Sequence, residues 1–476
     1  MTSLQNSTHF SRLLPDDKIT KFKLTSIFFI ISKGVSMIQK IKYKNSSTIN
    51  NIKFIDSDAL YKRFLNPQSI LVKIHDKIDF TFVNELCEDV YTEEGQHAYL
   101  PELVFRVSFI QFFKGGLSDN EVVRQCQTNL EYRYFCNLAI DDELFNDCKL
   151  SRFRQELGEK KFKSIFDTIV EKIKTAGFIN NNDVQYLDSF LFLADVKIIS
   201  INTLLSKAIQ QVLTDLEMID NEIEEDTKTK DFHLSEEQQK KRFVFLIEKA
   251  QNIFSLAKKK NLSLQAEKSL AILRRIVKER AEIEENGTIR KKKSDEEKDK
   301  IINVSDLDAR MMGKKKNEIH PSYKSFVAMN KEHFITGTDV TIATVYDGHH
   351  TPAIINDLKE RGFKVPQCVG DTHFGDIDLR KEMAKQGTQI ITPYRQKQII
   401  NSCCKEEVMI EAWNYNHTDE GKDYFRIRSH IEPKQGEMKN IHGMKRAKFR
   451  ELGKVIIQNY LSAIVTNCKK WVMVAS

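Results

Sequence analysis

The sequence predicts an α/β protein whose sheet-forming part follows a helical region and is interrupted by a helical insert. Three observations carry this. Apolar residues recur at helical spacing from Leu71 to about Phe178. Two short runs rich in β-branched and apolar residues each carry an aspartate, at Asp188 and Asp371. Between them, from about 202 to 303, lies a highly charged stretch with apolar residues every three or four positions. The expected layout is a poorly ordered lead-in over 1–66, a helical region over 67–180 and an α/β region over 181–476. A chain of 476 residues is long enough for two or three domains with sizeable cores.

Residues 37–66 are polar and rich in lysine and asparagine. Upstream, Ile27 to Ile31 is apolar but too short to cross a bilayer, and no cleavage signal follows, so no export is expected; Met37 is an alternative start. The apolar stripe Phe105 to Phe113 ends at Gly115-Gly116, after which Ser118 caps a new helix with Glu121 three residues on. Two helices joined by a glycine turn fit a helix-turn-helix, and equally any small helical bundle. Val184 to Phe190 reads as a strand that continues toward Ile199.

In the insert, Leu205, Ile209, Val212, Leu216, Ile219 and Ile223 share one helical face, as do Phe243, Leu246, Ile247 and Ala250. An antiparallel helical hairpin is the economical expectation, with a mobile charged end over Lys291 to Lys298. Asp306 and Asp308 read as turn and capping residues before strands near Tyr323 to Met329 and Phe334 to Thr341. Asp347-Gly348-His349-His350 reads as a turn and helix start rather than a metal site.

The chemistry-bearing segment is Tyr424 to Lys439. Arg428, Glu432 and Lys439 stand four and seven apart, which on one helix would stack them on one face. Ser429 to Glu432 also fits a capping box, and Pro433 is comfortable only in a first turn, which would leave Arg428 just outside the helix. Asp188 and Asp371 lie on strands, and an acid at the C-terminal end of a strand is where an open α/β sheet usually places its chemistry. The expectation is that Asp188, Asp371 and Glu432 converge as catalytic carboxylates and metal ligands. Their hard oxygens suit Mg²⁺, with Mn²⁺ able to substitute. Arg428 and Lys439 are expected to bind phosphates.

These residues resemble the DDE transposases of bacterial insertion sequences, in which the glutamate sits in a tyrosine, arginine, glutamate, lysine signature. Arg428, Glu432 and Lys439 match it, whereas the tyrosine position holds Phe425, with Tyr424 one residue earlier. Asp188 in Leu-Asp-Ser-Phe and Asp371 in Gly-Asp-Thr-His-Phe-Gly correspond to the two aspartates. Asp79-Phe80, Pro101-Glu102-Leu103, Gly116 to Asp119 and Arg152-Phe153-Arg154 resemble the N-terminal domain of these proteins, and His442 to Gly453 their closing basic turn. The resemblance implies a ribonuclease-H-like mixed-sheet catalytic domain over 181–476 and an end-binding helical domain over 67–180, with Arg124, Arg152 and Arg154 as candidate DNA contacts. It implies double-stranded DNA as partner, both terminal inverted repeats and target, with a homodimer on DNA expected from the pairing of two ends. The expected location is the cytoplasm, at the nucleoid.

Composition agrees with this class. The net charge is +7 and the pI about 8.7, with cations clustered at Arg290 to Lys293, Lys314 to Lys316 and Lys445 to Arg450. Eight cysteines without a CxxC pair give neither a disulfide framework nor a zinc ribbon. The insert touches DNA, mediates dimerisation, or is a solvated surface. A nuclease that cuts without joining shares the same acids, and an inactive DNA-binding relic shares the same fold. A helical scaffold protein would explain the insert but not the matched catalytic segments.

Overall fold

The computed structural model describes residues 56–90, 99–258, 261–284, 287–292, 299–313, 318–393 and 407–475. Ile27 to Ile31, Met37, Lys293 to Lys298, Lys314 to Lys316 and Cys403-Cys404 lie outside them. The helix Ser57–Phe64 falls inside the segment read as lead-in; Asp56 caps it, and its buried Tyr61 donates a 2.6 Å hydrogen bond to the Leu138 carbonyl.

The N-terminal region is helical from Ile70–Lys77 through Pro101–Phe113, Asp119–Thr128 and Leu130–Phe135 to the long Cys148–Thr175 helix. Ser118 caps Asp119–Thr128 through a bond from the Glu121 N–H. Pro101–Phe113 is buried along nearly its whole length, so its phenylalanines form a core rather than an amphipathic stripe. Cys148–Thr175 bends at Gly158, where φ is 63°.

The sheet has eight-residue to ten-residue central strands and short flanking ones. Strands β1 (Gln185–Leu193), β4 (Arg310–Met312), β5 (His320–Met329), β6 (Ile335–Ile342), β7 (Gln367–Val369) and β8 (Gln389–Ile391) belong to it, while β2 (Ala281–Ile283) and β3 (Ile289–Lys291) make a separate hairpin. The order is β4-β5-β1-β7-β8, with β6 sharing the β4 edge of β5. β1, β5 and β6 run antiparallel, and β7 and β8 join parallel to β1. β1 stops at Leu193, short of the expected Ile199. Ala194 N–H donates to the Pro321 carbonyl, but Pro321 has no N–H to return, so the ladder cannot propagate.

The closing helix Leu452–Val474 locks the helical region to the sheet. Its buried Asn467 receives Ile335 N–H at 2.9 Å and donates to the Ile335 carbonyl at 2.8 Å, standing in for a missing strand partner. Asn459 accepts from Ser325 and donates to Thr338, each at 2.8 Å. The other face of this helix packs on Cys148–Thr175, so one continuous apolar core runs from Leu71 to Val472.

The insert is not a hairpin. It comprises the helices Ile201–Asp215, Asn221–Lys228, Glu236–Ala257 and Leu264–Arg280 followed by β2 and β3, closed around a separate apolar cluster. Turn chemistry between the periodic stretches breaks them: Asp220, Ser235 and Ser263 each cap a new helix. Arg242 is buried and ion-paired to Asp226 and Asp231, which fixes the second connection.

Gly115 and Gly116, both at positive φ, turn the chain after Pro101–Phe113 and meet Gly443, also at positive φ. A Cβ on Gly443 would lie 3.1 Å from backbone atoms of both. Substitution Gly443→Ala therefore combines a left-handed backbone penalty with a clash against main chain. The expected loss is about 2 kcal/mol of stability, read as a lower denaturation midpoint at unchanged m-value.

Candidate active site

The sheet register brings the two aspartates together. Val369, the last residue of β7, lies opposite Tyr186 of β1 in a parallel pair, so the chain leaves β7 beside the part of β1 that carries Asp188, and Asp371 follows two residues past the strand. Gly370 permits the turn, since a Cβ there would lie 2.6 Å from that of Phe374. Asp371 then accepts the His373 N–H at 2.8 Å and has the His373 ring Nδ1 3.4 Å from its other oxygen.

Asp188 lies mid-strand opposite Val327 and accepts its neighbour's N–H, that of Ser189, at 2.8 Å. Burial pushes its carboxyl up to about 6; the Ser189 bond and the Arg428 guanidinium oppose this, and the charges of Asp371 and Glu432 add to it. Asp371 and Glu432 thus each lie within electrostatic reach of Asp188. Arg428 Nη1 stands 3.9 Å from Asp188 Oδ2.

Arg428, Glu432 and Lys439 do not share one helix. Asp419–Arg428 ends at Arg428 and Ile431–Asn440 begins three residues later. Pro433 explains the break, because its ring excludes the carbonyl of Ser429 four residues earlier and it offers no N–H to it. No capping box forms: Ser429 Oγ donates back to the Arg426 carbonyl at 2.6 Å, and the Ile431–Asn440 helix has no side-chain cap. Glu432 is exposed in the first turn of its helix, and Lys439 sits with its ammonium 4.6 Å above the Phe190 ring. Tyr424 does not supply the missing signature hydroxyl, since that group lies 2.7 Å from Gln367 Oε1 and 2.9 Å from Glu420 Oε1. Phe425 packs with Tyr186, Val369 and Ile391.

Asp347 is the neighbour that the sequence reading set aside. It opens the Asp347–Glu360 helix without capping it, and accepts from Lys324 Nζ at 2.9 Å and Ser189 Oγ at 3.1 Å. Its carboxylate, that of Asp371 and the His373 ring offer ligand atoms within 4.8 Å of one another. The available signal was Gly348, where a Cβ would lie 3.2 Å from the His373 carbonyl oxygen. Asp306 and Asp308 are structural: Asp306 is buried against the Tyr323 hydroxyl, and Asp308 accepts the Leu452 N–H to cap the closing helix.

Among the arginines considered for DNA, Arg154 is buried, paired with Asp119 and stacked 4.3 Å from the Phe449 ring. Its role is to join the helical region to the basic turn. Arg124 is exposed but doubly bonded to Glu121, and Arg152 is exposed.

The far end of the Glu432 helix is tied down by charge. Glu437 meets Lys469 at 2.8 Å, Lys434 at 3.0 Å and His442 at 3.4 Å, which together hold its carboxyl far below the usual range. His442 is fully buried, and the Phe112 carbonyl 3.1 Å from Nδ1 requires that nitrogen to carry a proton.

Residues 59–156 match a transposase domain (DUF772), and residues 253–468 match a transposase DDE domain. The chain belongs to the DDE transposases of insertion sequences. The DDE match contains Asp371 and Glu432 but begins after Asp188, which is placed by strand register alone. No curated protein and no solved structure matches the chain. No helix among the described residues is long and apolar enough to cross a membrane.

Asp188 and Glu437 should affect stability with opposite pH dependence in metal-free protein. The raised carboxyl of Asp188 favours folding when protonated, a contribution complete below about pH 4 and lost as pH rises through about 6. Asp188→Asn should therefore stabilise the chelator-treated protein by about 2 kcal/mol at pH 7, and far less at pH 4. The depressed carboxyl of Glu437 favours folding when ionised, so its contribution is present above about pH 4.3 and lost on acidification. Glu437→Gln should destabilise by about 2 kcal/mol at pH 7, the difference shrinking in acid. Thermal unfolding across pH checks both.

Proposed function

We propose that this transposase binds the ends of its element, cuts the phosphodiester there and joins the freed 3′ end to target DNA, using Asp188, Asp371 and Glu432 as ligands for a pair of divalent cations. The observation that carries this reading is the pairing of β1 with β7, which brings Asp371 out beside the part-buried Asp188, itself faced by Arg428 and raised toward neutrality with two other acids near it. Such a cluster is unfavourable for an empty site and suited to a hard cation; a carboxylate-only set matches Mg²⁺, with Mn²⁺ as substitute. The sheet order, three antiparallel strands followed by two parallel ones, supports a ribonuclease-H-like catalytic domain.

Divalent ions bound there supply charge neutralisation at phosphorus and a more acidic attacking water. The chain supplies the rest. Asp188 and Asp371 present oxygens from adjacent strands, and Glu432 closes the set from its helix. Arg428, only loosely paired with Asp188, is assigned to a phosphate beside the scissile bond, and Lys439 to one further along. Asp347 is less suited to ligation because Lys324 already neutralises it. In the first step a water oxygen bonds to phosphorus and the bond to O3′ breaks, leaving a 3′-hydroxyl on the element. In the second, that oxygen bonds to a target phosphorus as the target's own bond to O3′ breaks, with protons passing to solvent. Two ends brought together call for a dimer on DNA.

With Mg²⁺ and labelled duplex carrying the element's ends, the wild-type protein should yield cut and then joined products. Asp371→Ala should reduce both to background and leave end binding within about twofold. Retained cleavage in Asp188→Ala, Asp371→Ala and Glu432→Ala would overturn the assignment, and cleavage without joining would restrict the protein to a nuclease.

A further inference from the structure

The turn Lys445 to Arg450 is more than a solvated charge run, because it is built onto the end of the strand that carries Asp188. Leu193 N–H donates to the Lys445 carbonyl and Ala447 N–H to the Leu193 carbonyl, so the turn extends the sheet beside β1. Arg446 and Arg450 reach back to the carbonyls of Ala194 and Asp195. Gln458 of the closing helix accepts the Lys448 N–H and donates to the Gly443 and Arg446 carbonyls. The backbone of the turn is thereby fixed from two sides.

Its side chains point outward. Lys445, Arg446, Lys448 and Arg450 are all exposed. Among the described residues the ammonium groups of Lys445 and Lys448 have neither an ion pair nor a hydrogen bond. The nearby acids are engaged elsewhere: Asp195 with Arg450, Glu451 with Lys454, and Asp308 with the Leu452 N–H. The Lys448 stem lies over Gly116, where a Cβ would come within 2.9 Å of Cε. Lys448 therefore stands where the N-terminal helices meet the catalytic part.

These positions follow one another along β1. Arg428 lies at Asp188, Lys439 over Phe190, Lys445 and Arg446 at Leu193 and Ala194, and Lys448 at Gly116. Asp188 and Leu193 stand five residue steps apart on β1, about 16 Å at a strand's rise of about 3.3 Å per residue. That is about five base-pair steps of duplex at about 3.4 Å each. We propose that Lys445 and Lys448 grip the backbone of the element's own end, at phosphates four to six base pairs inside the scissile bond. The occupant is the element's end rather than target DNA, because the row of cations leads from the acids toward the helices proposed to hold that end. This inference rests on the function proposed above.

The test compares wild type with the double variant Lys445→Gln/Lys448→Gln, both full length, on end duplex over a range of salt. Each phosphate contact contributes roughly 0.9 to the slope of log affinity against log salt, so the variant's slope should be shallower by roughly 1.8. Uncharged methylphosphonates placed four to six base pairs inside the end should weaken wild type severalfold and the variant hardly at all. An unchanged slope, or equal loss for both proteins, would overturn the proposal. So would a defect seen only with target duplex in the joining step. Wild type that shows no preference for ends and no Mg²⁺-dependent cutting would instead overturn the functional reading itself.

Discussion

The position of Glu432 depends on how the far end of its helix is held. Pro433 severs the near end from the helix that ends at Arg428, and the buried Ile431 seats it on the core. Five residues on, Glu437 is clamped by Lys469 of the closing helix and approached by the fully buried His442. His442 in turn bonds the last turn of Pro101–Phe113, deep in the helical region. The glutamate is thus carried on a helix anchored to both the sheet-bound closing helix and the N-terminal core. Three glycines without side chains, at 115, 116 and 443, let these parts approach closely enough for that bond. A helix held only by an exposed first turn would leave a ligand free to wander, and sites a fraction of an ångström loose lose most of their value.

The same architecture divides stabilising from functional charge. Glu437, Asp308, Arg242 and Arg154 each bond across elements and hold them together. Asp188 is the opposite case, a carboxyl that burial and neighbouring acids disfavour as an anion. Proteins keep such strained groups where a ligand relieves them. Burial on β1 is the main cause, and the pairing of β7 with β1 adds to it by bringing Asp371 out beside Asp188.

Much of this was legible in the sequence, and the failures have local causes. The strand bearing Asp188, the short strand that ends just before Asp371, the Ser118 cap and much of the helical periodicity of the insert follow from side-chain spacing. What spacing could not supply was the competition between neighbouring signals. The repeat of Arg428, Glu432 and Lys439 suggested one helix, yet Pro433 broke it, and only the fold returned Arg428 to Asp188. Leu205, Ile209, Val212, Phe243, Leu246, Ile247 and Ala250 do lie on buried helix faces, but Leu216 and Ile219 fall between helices with Ile219 exposed, and the caps at Asp220, Ser235 and Ser263 divide the expected hairpin into four helices. Arg154 looked like a DNA contact because exposure cannot be read from residue type, and its stack on Phe449 is a contact between residues almost three hundred positions apart. Asp347 was discounted as a turn residue, while its proximity to Asp371 depends on how β6 and β7 are arranged about the sheet.

The most direct test of the account is Mn²⁺ binding to the protein on end duplex, followed by paramagnetic resonance of the ion. If Asp188, Asp371 and Glu432 form one site, then Asp188→Asn, Asp371→Asn and Glu432→Gln should each weaken binding by roughly tenfold or more, at least the effect of losing an outer-shell partner. Lys324→Gln and Asp347→Asn should change it far less. Wild-type affinity in the Asp188 and Glu432 variants, with loss in variants of Asp347 or His373, would place the ion elsewhere and contradict the account.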